Sequence, residues 1–201
     1  MGASSYKSFG TGFRGTVQGA IQTSVNDQPG QGVPGMLPFA SDNDLIDSYM
    51  VSGDGVAAGT GVQLVANAGA TQQFQLPGSL AQTPNATNLS ITDFGGIVVF
   101  DENMQSNADG ENGWADGRMC RVARPGRAGA RVYVKAVEAF DKASATVNWV
   151  TSAGTDGKYR TGEFAPAALA GNATVGYSVA ITTAKVISSA AAGGVFAIEL
   201  G

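Results

Sequence analysis

The chain has 201 residues, of which 43% are hydrophobic and only 14% charged, with a formal net charge of -4. Soluble domains usually carry about 25% charged residues, so part of this surface is expected to lie against other protein, while the negative balance argues against nucleic-acid binding. There is no histidine and one cysteine, Cys120; this excludes Ser-His-Asp and Cys-His catalysis, His-ligated metals, intrachain disulfides and Cys clusters for zinc or iron and sulfur.

Residues 1 to 40 are rich in Gly, Gln, Ser and Pro and carry charge only at Lys7, Arg14 and Asp27. So few large apolar side chains cannot offset a backbone ordering cost of roughly 1 to 2 kcal/mol per residue by packing on themselves. The segment reads as an extended arm that orders against a partner protein, through anchors such as Phe9, Phe13, Pro29, Pro34 and Phe39. No basic region followed by an apolar core marks an export signal, and no run approaches the roughly 20 apolar residues of a membrane-spanning helix. The stretch Ser41–Val51, with Asp42, Asp44 and Asp47 around Leu45, Ile46, Tyr49 and Met50, suggests a short helical turn capped by Ser41 or Asp42, a hinge between arm and body. The expected division is therefore 1–50, arm and hinge, and 51–201, a β-rich body.

From Val51 onward, short runs of Val, Ile, Thr and aromatics alternate with Gly, Asn, Asp and Pro every ten or so residues, which is a strand-and-turn pattern. The expected strands are Gly61–Asn67, Gln72–Leu76, Asn88–Thr92, Gly96–Phe100, Arg118–Ala123, Arg131–Ala139, Ala145–Val150, Val175–Thr182, Lys185–Ser188 and Val195–Leu200. Turn chemistry is supplied at Gly53-Asp-Gly55, Asn67-Ala-Gly69, Pro77-Gly78, Pro125-Gly126, Asp156-Gly157 and Gly193-Gly194. Alternation is clearest in Arg131–Phe140, where Val132, Val134, Ala136 and Glu138 share one face. The segment Ala184–Leu200 should form the last hairpin, and the Ala-rich stretches 165–171 and 188–192 read as loops or single turns. The fold class expected is all-β, a small β-barrel or jelly-roll-like body.

Gly10, Gly12 and Gly15 match the dinucleotide-binding glycine pattern in letter only, because the strand before it, the helix after it and the ribose-binding acid are missing. The acidic stretch Asp101–Asp116 fails the EF-hand spacing and reads as a solvated loop. Trp114 within it is either tucked under the body or presented to a partner. Six of the twelve Lys and Arg (Arg118, Arg121, Arg124, Arg127, Arg131 and Lys135) gather in one expected hairpin; this is either an ordinary solvated surface with ion pairs or a docking patch, with Arg127 as a contact. Cys120 reads as a buried small hydrophobe rather than a reactive thiol. No catalytic constellation, cofactor site or metal site is expected.

These features, in this order, resemble the structural cement proteins of tailed-phage heads. The resemblance rests on Asn26–Asn43 (NDQPGQGVPGMLPFASDN) and the Gly-rich Val51–Val62 (VSGDGVAAGTGV), and more loosely on Gly129–Lys135 (GARVYVK) and Ala184–Ile198 (AKVISSAAAGGVFAI). It implies a virion protein assembled in the host cytoplasm that binds the outside of the capsid shell, often as a homotrimer at local threefold positions, and bridges neighbouring major capsid proteins. It implies no catalysis. The competing expectation is a receptor- or carbohydrate-binding module of a tail or fibre, in which Trp114 and the acidic loop would contact the ligand.

Overall fold

The structure is a computed structural model and describes residues 34–37, 46–66, 72–77, 87–101, 104–106, 112–126, 130–143 and 145–201. Fourteen strands follow in chain order: β1 (Ile46–Val51), β2 (Val56–Ala57), β3 (Gly61–Ala66), β4 (Gln72–Gln75), β5 (Phe94–Val98), β6 (Gln105–Ser106), β7 (Asn112–Trp114), β8 (Met119–Ala123), β9 (Ala130–Lys135), β10 (Asn148–Ala153), β11 (Phe164–Ala165), β12 (Gly176–Ala180), β13 (Lys185–Val186) and β14 (Val195–Leu200). Among the described residues the architecture is all-β, with one 3-10 turn at Ile91–Asp93.

Five strands close into a barrel in the order β1-β4-β3-β5-β8. The period-2 alternation of side chains explains the closure. Tyr49 and Val51 of β1, Val62 and Leu64 of β3, Phe74 of β4, Val98 of β5, and Cys120 and Val122 of β8 belong to one apolar cluster. Their registers agree, since Val51 and Leu64 both pair with Phe74, Tyr49 with Cys120, and Val98 with Val122. Alternate residues of β5 and β8, such as Ile97 and Ala123, belong instead to a second and larger cluster. β5 is buried along its whole length, so the barrel is covered on that side.

Two three-stranded sheets, β11-β10-β12 and β13-β14-β9, contribute to that second cluster. Trp149 at its centre meets Phe94 edge to face at 5.1 Å, and Phe140 stacks on Phe196 at 3.8 Å. A third short sheet, β2-β7-β6, lies beside the barrel.

The alternation expected in Arg131–Lys135 is present, with Val132, Val134 and Ala136 fully buried and Arg131, Tyr133 and Lys135 more exposed. The last hairpin is present as β13 with β14. Three expectations are corrected. Ile46–Val51 forms a strand, because pairing with β8 on one side and β4 on the other satisfies its backbone and sends Tyr49 and Val51 into the barrel. Asn88–Thr92 is not a strand: the backbone N–H and hydroxyl of Ser90 both donate to the Asp93 carboxylate at 2.8 Å, which curls the chain into the 3-10 turn. Finally, Arg118–Ala123 and Arg131–Ala139 do not form one hairpin, since β8 pairs with β1 and β5 while β9 pairs with β14. The Asn67-Ala-Gly69 turn and Gly78 lie outside the described residues.

Candidate docking surface

Of the expected partner contacts, Phe9, Phe13, Pro29, Phe39 and Arg127 lie outside the described residues, and Pro34 and Trp114 lie within them. Pro34–Leu37 crosses the body beside β9. The Gly35 N–H donates to the Tyr133 carbonyl at 2.7 Å, the Tyr133 N–H to the Met36 carbonyl at 2.9 Å, and the Phe100 N–H to the Gly35 carbonyl at 2.8 Å. The segment thereby covers the edge of β9 that β14 leaves open, an edge that would otherwise invite pairing with other chains. The approach is close: a Cβ on Gly35 would stand 2.7 Å from the Phe100 nitrogen, and one on Gly59 would stand 2.8 Å from the Pro34 Cβ. Pro34 is half-buried against its own body, while Leu37 packs on the larger core.

Two clefts open beside this point. One, of about 420 Å³, is lined by β2, Trp114, Leu76, Gln105 and the 160–163 loop. The other, of about 250 Å³, is lined by Pro34, Ala57–Thr60, Phe100, Lys135 and Phe164. Trp114 is half-buried against the barrel cluster and lines the larger cleft. Its indole nitrogen is buried without a hydrogen-bond partner. The strand that carries it, β7, was not legible in the acidic stretch, because its three residues Asn-Gly-Trp have no strand alternation of their own and are held by β2 and β6.

Three residues of the basic run hold carboxylates of this chain. Arg121 pairs with Asp101 at 3.6 Å, Arg124 with Asp47 at 3.4 Å, and Arg131 with Glu199 at 2.7 Å. At this partial exposure such pairs contribute about 0 to 1 kcal/mol each, so they fasten neighbouring strands modestly. Cys120 is fully buried in the barrel, and burial pushes its thiol up to about 12, far from the thiolate that reactivity requires.

A further polar cluster joins β9's exit to the loop after β10. Lys158 Nζ donates to Glu138 at 2.6 Å, and the buried Tyr159 hydroxyl donates to the other oxygen of the same carboxylate. The hydrogen bond from Lys158, then that from Tyr159, hold the Glu138 carboxyl below its usual range; burial first, then the Glu138 hydrogen bond, pushes the Tyr159 phenol upward. A carboxyl lowered in the folded state contributes stability that is present above its unfolded value, near pH 4.5, and is lost as pH falls through the folded value. Glu138→Gln should therefore lose less stability than the wild type between pH 5 and the acid limit, which paired denaturant melts across that range would show. The expected difference is about 1 kcal/mol or less, because Lys158 and Glu138 are both substantially exposed.

No group of three or more His, Cys, Asp or Glu among the described residues could hold a metal ion. None of the helical segments described is long and apolar enough to cross a membrane. The described surface offers two clefts, an N-terminal segment laid along a sheet edge and paired charges.

A search of curated protein sequences finds no match. Among solved structures, a chain from the capsid of Myoviridae phage XM1 superposes with a TM-score of 0.54 at 13% identity, covering 90% of this chain and 96% of that one, which shows a shared fold. A family model described as "Structural cement protein (E217 gp24/Pam3 gp6)" matches residues 21–201. Spanning the barrel, both outer sheets and the segment that covers β9, that match shows that the chain belongs to the phage structural cement protein family and is a structural component of the capsid.

Proposed function

We propose that this chain binds the outer surface of the phage shell and bridges neighbouring major capsid proteins, acting as a homotrimer at local threefold positions. The observation that carries the reading is the family match over residues 21–201, in a fold that pairs a closed barrel with an N-terminal segment laid along a sheet edge. The barrel body supplies a rigid knob. The region before it, with Phe9, Phe13, Pro29 and Phe39 spaced along a nearly neutral segment, acts as the arm that reaches across subunit boundaries. Many copies of a modest contact resist rupture of a filled shell by multivalency, and the role needs no catalysis. The protein is assembled onto the head in the host cytoplasm.

Heating DNA-filled heads that lack the protein, with and without add-back of the purified chain, tests the reading. Add-back is expected to raise the temperature of DNA release; an unchanged release temperature at saturating protein overturns the cement role. The Trp114-lined cleft supports a second reading, a receptor- or carbohydrate-binding module of a tail or fibre. Under that reading each particle would carry few copies, whereas a cement protein is present in hundreds.

A further inference from the structure

We infer that the groove along the outer edge of β2 receives an extended segment of the capsid partner, which adds to β2 as a strand and sets a carboxylate against Lys135. The inference deepens the cement reading and rests on it.

Backbone geometry comes first. β2 is the edge strand of its sheet, with only β7 beside it. The Ala58 N–H donates to the Asn112 carbonyl at 2.8 Å, so Ala58 turns its polar groups toward β7. By the alternation of an antiparallel ladder, Ala57, opposite Gly113, turns its own N–H away from β7. An edge N–H of this kind is what an added strand uses for affinity. The Ala57 carbonyl on that side is taken by the Thr60 N–H at 3.3 Å and the Thr60 hydroxyl at 2.7 Å, which leaves the N–H as the available group.

The two clefts meet along that edge, since both are lined by Ala57, Thr60 and Glu163. Their walls combine apolar side chains, Leu76 and Trp114 in one and Pro34, Phe100 and Phe164 in the other, with polar ones, among them Asp54, Arg160 and Glu163, which have partners within this chain. Together they make a run suited to an extended chain, with pockets for alternate side chains.

Charge then selects the partner. Arg121, Arg124, Arg131 and Lys158 each hold a carboxylate of this chain. Lys135 is exposed at the end of β9, lines the smaller cleft, and has no ion-pair partner among the described residues. The groove's own Glu163 carboxylate accepts the Arg160 backbone N–H at 2.7 Å. An incoming segment with Asp or Glu complements Lys135, while one with Lys or Arg is repelled by it.

The test uses the full chain and expanded shells free of cement protein. Lys135→Glu is expected to weaken shell binding about tenfold, and Lys135→Arg to leave it within about twofold, with thermal melts of both variants unchanged. A photo-crosslinking residue in place of the exposed Gln105, which lines the larger cleft, is expected to capture one acidic peptide of the major capsid protein. Wild-type binding together with undiminished Lys135→Glu binding, or with crosslinks only to a second copy of this chain, overturns the groove assignment and leaves the cement role standing. Failure of the wild-type chain to bind overturns both.

Discussion

Gly96→Ala is expected to destabilise the protein by about 4 kcal/mol. Gly96 lies in β5 at φ 132°, and a Cβ there would stand 2.2 Å from the Ala123 carbonyl oxygen and 2.7 Å from the Val122 Cγ1. Those atoms belong to β8, the strand that pairs with β5 to complete the barrel. The strand cannot move outward, because the opposite face of β5 packs into the larger core through Ile97. Strain in the backbone and overpacking therefore act together. Gly117→Ala is the control: φ is also positive, at 74°, but nothing lies within 4 Å of the added carbon. It should cost about 1 kcal/mol, the conformational part alone. Urea melts of the two variants check the comparison, and equal costs would show that the β5–β8 approach is not tight.

Removal of residues 1–33 is expected to abolish binding to shells while shifting the melting temperature by no more than about 2 °C. The barrel and the sheets are built from strands that begin at Ile46, and a body that folds without residues 1–33 is the expected result. Extending the deletion through Leu37 is different in kind. It removes the hydrogen bonds that Gly35 and Met36 make with Tyr133 and Phe100, exposes the edge of β9 and strips Leu37 from the core. That longer deletion should lower stability by about 2 to 4 kcal/mol and promote association through the bared edge. Shell co-sedimentation and calorimetry on both truncations separate the two roles. Full shell binding by the shorter truncation would contradict the arm's part in the proposal.

What could be read in advance was local. Val132, Val134 and Ala136 announced their buried face by alternation, and the Val195–Leu200 strand was bounded by a Gly pair and by apolar spacing. The barrel was less legible because its closing contacts are remote in sequence. β1 pairs parallel with β4 and antiparallel with β8 some 70 residues away, as in Tyr49 with Cys120. Leu45, Ile46, Tyr49 and Met50 fit helical spacing as well as Tyr49 and Val51 fit a strand, and only tertiary pairing decides between them. The basic residues misled for a related reason. Pro125-Gly126 is a good turn, but the two strands beside it leave for different sheets, β8 into the barrel and β9 to β14. Ser90 and Asp93 did carry a legible signal, since Ser-x-x-Asp is a capping arrangement that should have outweighed the alternation of Leu89 and Ile91. The clefts beside β2 had no sequence signature, because their walls come from segments as distant as Pro34, Trp114 and Phe164.

The most direct test of the cement role is quantitative co-sedimentation of the purified chain with expanded, cement-free shells, counting copies bound per major capsid subunit. Saturation at a fixed ratio, with density at the local threefold positions, is the expected result. No saturable binding at any protein concentration would contradict it.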